Sequence, residues 1–546
     1  MHFRELDKME KEIKTFVAVC SLLLLAVFNR PSNSTAITTE TSNNILYVGG
    51  SGANNYTSIQ EAIDDAMPGD TIFVYDDSSP YYENLTIDKS IKLIGENRKT
   101  TIVDGEGAKN VIRIIANNVS ISNFSIRNSS KLGCGFCVMG SFNLICSCAV
   151  YGNDKGVEIY GERNKIISCR IFKNDIGVKI NDPNPWVPYA PSYTVISNCE
   201  ISSLSPSDMS INIYSSNNVV LNCKINQSIT LSDGANNTLT DNIINGSLSL
   251  SYCRFTTLRN NTINGNFWIR GITVEEYTHE IDDSNRVNGK RIYYLYNRTE
   301  VTLPEDAGYV IAVKCKNITI RDMELNGVAA AFSSNILIEN CSMNGNAGIY
   351  VYSSHNNKIA NCSFNCSYPI CIDESSENLV LNCEMKNSLD GIEIKRFSHD
   401  NLIMRCYIEA KYNGIFVEAS YNNTMSNCHI SGCEIWGLNI NGNNNIVTSC
   451  NIVKNCYGIY IHGYFNKIYS NNFLNNDINA FCYGWNIWNT KKGGNYWDDY
   501  RGFDLNKDGI GELPYHIRTD IRAFPTYIES FFNFDWHPFI HPVETP

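Results

Sequence analysis

The sequence predicts an all-β chain, a right-handed parallel β-helix, on three observations. Cysteines recur at Cys341, Cys362, Cys383, Cys406, Cys428 and Cys450, spaced by 21, 21, 23, 22 and 22 residues. Self-similarity at a fixed period in the twenties marks a solenoid. Within each repeat apolar and polar residues alternate over a few positions, as in Gly391-Ile-Glu-Ile-Lys395 and Gly414-Ile-Phe-Val-Glu418, before a turn resets the count. That is period 2, so strand and not helix. The Leu-x-x-Leu-x-Leu frame and hairpin signals are both missing from the repeats. Each repeat is therefore one coil of about three short strands, hydrogen-bonded to the coils above and below. About fifteen coils are expected.

The asparagines and cysteines follow from stacking. Equivalent residues of neighbouring coils lie about 4.8 Å apart. An Asn at a bend tolerates the left-handed conformation and can pass amide bonds from coil to coil. The Cys column points inward, where thiols act as small hydrophobes. A Cys every 22 residues has no metal-site spacing; a structural ladder is the first reading, with disulfides or a metal cluster as alternatives.

In chain order, Lys8, Lys11 and Lys14 precede an apolar run from Phe16 to Phe28, with small residues at Ser34-Thr-Ala36. The run is shorter than the ~20 residues that span a bilayer. Residues 1–36 read as a signal peptide, or alternatively an N-terminal anchor, so the chain is secreted or displayed at the cell surface. No second hydrophobic span follows. Sequons at Asn84, Asn118, Asn226, Asn297 and Asn317 suit an exported glycoprotein. The net charge of −12 argues against nucleic acid or an anionic membrane surface as partner.

Residues 37–117 read as an N-terminal cap and first coils. Thr57-Ser-Ile-Gln60 forms a capping box, and Ile59, Ala62, Ile63 and Ala66 one helical face that can cover an open solenoid end. Coils run over 118–489. Pro183 to Pro191 lengthens one turn and carries Trp186 and Tyr189. Residues 270–313 break the repeat; a turn at Asn288-Gly289 and a following strand read as a side excursion. Residues 490–546 form an aromatic C-terminal cap. Within it Asp504, Asn506, Asp508 and Glu512 stand at positions 1, 3, 5 and 9 of a loop with Gly509 at position 6, a spacing suited to Ca²⁺. Position 12 is Tyr515, so this is no full EF-hand.

Three segments carry a family resemblance: Tyr56-Thr-Ser-Ile-Gln-Glu-Ala-Ile63 with Pro68-Gly-Asp-Thr-Ile72; the excursion from His279 to Tyr294 with Asp306-Ala-Gly308; and Gly494-Asn-Tyr-Trp-Asp-Asp-Tyr500 with Asp508-Gly-Ile-Gly511 and Leu513-Pro-Tyr515. With these, the chain resembles exported parallel β-helix proteins of the pectin-lyase fold, and within them the NosD type, also labelled carbohydrate-binding and sugar-hydrolysis repeats. The resemblance implies the fold, and for NosD itself a part in periplasmic copper delivery. Copper finds little support in the residues. His355 and His399 share a turn but sit two coils apart, about 10 Å by stacking, and Met343 and Met385 fall at in-pointing positions.

The candidate face is the outer side of the short strands. Stacking the second residue after each Gly gives Tyr350, Cys371, Glu393, Phe416, Asn439 and Tyr460. The fourth gives Tyr352, Asp373, Lys395, Glu418, Asn441 and His462. Tyr350, Tyr352, Lys395, Phe416 and His462 are candidate ligand-binding residues for a polysaccharide or envelope glycan. Glu393 and Glu418 would lie about 8 Å apart, within the span of inverting glycosidase carboxylates, with Asp373 a third candidate. Asp373, Lys395 and Glu418 could equally form a charge ladder. The expectation is a cell-surface structural or carbohydrate-binding protein, other surface proteins being further partners. A polysaccharide lyase or glycoside hydrolase, and a metal-maturation accessory protein, are the alternatives.

Overall fold

The computed structural model describes residues 44–182, 192–204, 209–345, 347–519 and 533–544. The leader and the Pro183–Pro191 turn with Trp186 and Tyr189 lie outside the described residues. Among the described residues the strands pair in parallel except at two short antiparallel pairs, with one helix at Ile59–Asp65 and one 3₁₀ turn at Glu275–Tyr277. One ladder runs eleven rungs from Ile45–Val48 to Glu280–Ile281; another runs nine from Thr299–Thr302 to Lys467–Tyr469. The parallel crossovers wind right-handed, the hand that strand twist imposes.

These twenty rungs exceed the fifteen expected, for two reasons. Coils shorten where Val219 pairs Thr238 and Thr238 pairs Thr257, 19 residues apart. The N-terminal stretch read as a cap also contributes full rungs, Ile45–Val48, Thr71–Val74 and Lys92–Gly95. The helix there buries Ile59, Ala62 and Ile63. Its N-cap is Ser58, not Thr57, and the first-turn amides of Ile59 and Gln60 donate to Glu83 at 2.8 and 2.9 Å. The Gln60 side chain does not reach back to the cap; its Oε1 accepts the Thr86 amide at 2.8 Å.

Inside the coils the asparagines divide into two sets. Asn356, Asn361, Asn382, Asn422 and Asn427 take left-handed backbone at the corners, φ between 52° and 56°. Asn357, Asn378, Asn401, Asn423, Asn445, Asn466 and Asn486 form a buried ladder, each side-chain N–H donating to the next Oδ1 at 2.9 to 3.2 Å. Each Oδ1 also accepts a backbone N–H of the preceding coil, as Asn378 does from Asn357. The ladder satisfies backbone donors that leave the sheet at each bend. The cysteine column points inward as expected. Cys341 to Cys450 are buried, and Cys362, Cys383, Cys406, Cys428 and Cys450 each donate to the carbonyl two residues back at 3.2 to 3.4 Å. All described cysteines are free thiols.

The 270–313 region is more than an excursion. The chain turns at Asn288-Gly289, both with positive φ, in a two-residue hairpin between Val287 and Lys290. The sequence reading of that turn holds. The hairpin joins two stacks with two cores. On the strand Ala307–Val313 every residue is buried: Tyr309, Ile311 and Val313 pack into the first core, Val310 and Ala312 into the second. Gly327–Ala331 repeats the pattern with Ala329 and Ala331 against Val328 and Ala330. The second stack thus covers apolar residues of the first with the outer face of its opening strands. At the C-terminal end Trp497 stacks between Phe473 and Tyr515, both ring pairs 4.3 Å apart.

Candidate functional site

The outer columns form in the register expected, because parallel stacking leaves each strand one partner on each side. Tyr350 pairs Cys371, Cys371 pairs Glu393, Glu393 pairs Phe416, Phe416 pairs Asn439 and Asn439 pairs Tyr460. Beside them Tyr352 pairs Asp373, Asp373 pairs Lys395, Glu418 pairs Asn441 and Asn441 pairs His462. Burial divides this sheet face into two halves.

The first half is covered. Tyr352 is buried; its ring stacks on Tyr277 at 5.9 Å, and its Oη lies 3.0 Å from the carbonyl of Ile272 and 2.8 Å from Glu374 Oε2. The 3₁₀ turn of the joint thus lies over it. Asp373 is fully buried and takes a bidentate Arg396 guanidinium, with Nε to Oδ1 at 2.6 Å and the second nitrogen on Oδ2. Tyr350 Oη donates to the same carboxylate at 2.9 Å. Arg396 leaves the strand with φ 49° and lies 5.4 Å over the Tyr352 ring, while Arg270 of the first stack lies 6.0 Å over Tyr350. The Asp373 bond raises the Arg396 pKa, and burial pushes both phenols up. Asp373 therefore pairs with Arg396 instead of laddering to Lys395. Arg396 escapes sequence reading because it sits at a corner, outside the alternation; its only signal is the basic pair Lys395-Arg396.

The second half is open. Lys395 Nζ pairs Glu393 at 2.8 Å within its own strand and lies 5.7 Å over the Phe416 ring. Burial opposes the Lys395 charge, but the Glu393 bond and charge, with Cys371 and Glu418, together raise the lysine. Glu418 is exposed on the next rung. Beyond it Tyr460 and Phe481 stack with rings 5.6 Å apart and 4° from parallel, flanked by Trp436 at 5.6 Å and Tyr457 at 6.3 Å. His462 is exposed beside Tyr483. The surface is a carboxylate–lysine pair, the exposed amide of Asn441 with Asn439 buried beside it, and a half-buried aromatic platform on one rigid sheet.

In the 504–512 loop the acidic groups serve backbone donors. Gly509 N donates to Asp504 Oδ2 at 2.9 Å, Ile510 N to Asp508 Oδ1 at 2.9 Å, and Leu505 N to Glu512 Oε1 at 2.8 Å. Asn506 Nδ2 lies 3.1 Å from Asp508 Oδ2. Asp504 Oδ1 is buried without a hydrogen-bond partner. Among the described residues no group of three or more His, Cys, Asp or Glu side chains is arranged to hold a metal. His355 and His399 occupy one corner column with Ser376 between them, and Met343 and Met385 are buried in the second core.

Comparison with known proteins bears out the resemblance read from the motifs. Residues 283–502 match the family model described as periplasmic copper-binding protein (NosD). Among solved structures, a mannuronic acid specific polysaccharide family 6 lyase from human gut microbiota aligns at 10% identity and TM-score 0.31, over 74% of this chain and 87% of that one. A pectin methylesterase from carrot aligns at 11% identity and TM-score 0.30, over 47% and 90%. The pectin methylesterase PemA from Erwinia chrysanthemi aligns at 13% identity and TM-score 0.26, over 40% and 90%. No curated protein matches the chain. Among the described residues no helix is long and apolar enough to cross a membrane.

Proposed function

We propose that this chain, a parallel β-helix with a NosD-family segment, is an exported surface protein that binds carbohydrate on the open half of its outer sheet. The observation that supports this is the in-register run Glu393, Lys395, Phe416, Glu418, Asn439, Asn441, Tyr460 and His462 on one face. Half-buried aromatic rings offer stacking area with little side-chain entropy to lose, and amides and a carboxylate offer hydroxyl partners. Lys395 next to Glu418 and bonded to Glu393 makes the pair an orienting group for a hydroxyl or a uronate. Catalysis by Glu393 and Glu418 stays the alternative, with an acidic polysaccharide as substrate. The loop at Asp504, Asn506, Asp508 and Glu512 is proposed to take Ca²⁺, its buried Asp504 oxygen being the atom a cation would satisfy.

The test is affinity chromatography and calorimetry of the full exported chain on neutral and acidic glycans, with a reducing-end and unsaturated-product assay on the same panel. Retention weakened about two- to tenfold by Phe416→Ala or Tyr460→Ala supports binding, since a stacked ring contributes on the order of 0.5–1.5 kcal/mol. Turnover lost in Glu393→Gln or Glu418→Gln replaces binding with catalysis. Retention unchanged in all four variants refutes the face.

A further inference from the structure

One cluster on the outside of the first stack has no part in that reading. Cys134-Gly-Phe-Cys137, on the strand Ser125–Val138, has the Cys-x-x-Cys spacing that the cysteine ladder lacks. Residues three apart in a straight strand point to opposite faces. At Gly135 the backbone leaves no room for a side chain, a Cβ there lying 2.8 Å from the Gly156 carbonyl oxygen. The next rung shows that the two positions nevertheless converge. Lys155 is in register with Cys134 and Glu158 with Cys137, and Lys155 and Glu158 close to 3.6 Å. The two sulfurs one rung below share the same patch. Neither belongs to the apolar core, whereas Cys148, Cys169, Cys199, Cys223 and Cys253 all do.

The surroundings make the two thiols unequal. Cys134 Sγ donates to Glu158 Oε2 at 3.1 Å. Burial opposes the Glu158 charge, yet Cys134, Asn181 at 3.2 Å, Lys155 and Lys179 at 3.4 Å hold that carboxylate below its usual range. Contact with the Cys134 sulfur lowers the Cys137 pKa, with Arg113 and Lys155 adding positive charge; Cys134 is pushed up by its contact with Cys137, by burial and by Glu158. Cys137 is 8% exposed and Cys134 1%. A more exposed sulfur beside a buried one whose proton is bonded to a carboxylate is the unequal pair that stepwise exchange needs.

We propose that Cys134 and Cys137 form a thiol–disulfide exchange site whose substrates are low-molecular-weight aliphatic disulfides. The Cys137 thiolate attacks one sulfur of RS–SR, forming a mixed disulfide and expelling RS⁻. Cys134 passes its proton to Glu158 and attacks Cys137 Sγ, expelling the second RS⁻. The two thiolates leave as thiols, taking up the protons that the pair has lost. The protein gains one disulfide and the substrate is reduced by two electrons.

The full exported chain, fully reduced, is exposed to bis(2-hydroxyethyl) disulfide at pH 7, quenched with acid, alkylated and mapped by peptide mass. The expected result is one disulfide between Cys134 and Cys137, formed at least roughly tenfold faster than any reaction of the ladder thiols in the folded protein. Cys134→Ser stops at a mixed disulfide on Cys137. Glu158→Gln forms that adduct but closes the ring roughly a hundredfold more slowly, the scale of a lost general base. A first adduct on Cys134, reactivity no greater than that of Cys362, or a Cys137→Ser variant consuming the reagent as fast as the native chain overturns the proposal. Circular-dichroism melts of each variant separate loss of exchange from loss of fold.

Discussion

Acidification should act in opposite directions on the joint and on the C-terminal end. His279 is buried at the joint. Its Nδ1 accepts the Thr256 amide at 3.1 Å and its Nε2–H donates to the Glu276 carbonyl at 3.0 Å, which fixes the neutral tautomer. Burial lowers its pKa from 6.5 to about 4. The unfolded chain therefore binds a proton more readily, and the stability this neutral histidine contributes, present above pH 6.5, is lost as pH falls toward 4. Between pH 7.5 and 4.5 the loss is about 2.5 kcal/mol. Asp535 has the reverse sign. Burial raises its carboxyl from 3.8 to about 6, although the Asn495 amide at 2.6 Å and Trp497 Nε1 at 3.0 Å both donate to it. Its folded form holds the proton longer, so stability is greatest below pH 3.8 and falls as pH rises through 6. Over the same acidification it gains about 2 kcal/mol. A global unfolding curve would show the two nearly cancel. Urea titrations at pH 7.5 and 4.5, read peptide by peptide by hydrogen-exchange mass spectrometry, separate them. Peptides around Thr256 and Tyr277 should weaken at pH 4.5 and those around Asn495 and Trp497 strengthen. His279→Gln should abolish the first change and Asp535→Asn the second. Identical pH dependence in the native chain and both variants would refute the reasoning.

Three further outcomes are expected. Asn401→Ala removes a ladder amide, leaving the Asn378 side-chain N–H and backbone N–H without their acceptor; two orphaned buried donors cost roughly 2–5 kcal/mol, measured as a lower urea midpoint. Arg396→Ala strands the buried Asp373 carboxylate and should cost about 3–5 kcal/mol, while Asp373→Asn with Arg396→Ala recovers part of it; a double variant no better than the single would contradict the pairing. Millimolar Ca²⁺ should raise the melting temperature of the full chain by a few degrees, an increase lost in Asp504→Asn; equal melting with chelator and with Ca²⁺ would dismiss the loop as a cation site.

The outer columns were legible because their cause is local. A Gly, or Pro369 before Cys371, at each corner, followed by alternating residues, sets which side chains face out, and parallel stacking sets their neighbours. Tyr350 to Tyr460 therefore fall in register as the sequence orders them. The hairpin at Asn288-Gly289 was legible for the same reason: two residues with positive φ close it without help from distant chain. The coil number was not, since the shortened coils between Val219 and Thr257 carry no cysteine at the longer spacing to count by.

What covers a face, by contrast, is decided between residues far apart in the chain. Alternation says that Tyr352 points outward; it does not say that Ile272, 80 residues earlier, lies against it. The same strand pattern points Asp373 outward, yet Arg396, 23 residues on and at a corner, turns it into a buried ion pair. Tyr309 and Ile311 would face solvent on any other coil; at the joint they enter the core of the first stack. The sequence by itself determined the all-β coil, its inner ladders and the order of its outer columns, because each depends on nearest neighbours in the stack. Only the tertiary structure decided which half of the outer sheet is closed and which is open, because that follows from how the two stacks meet.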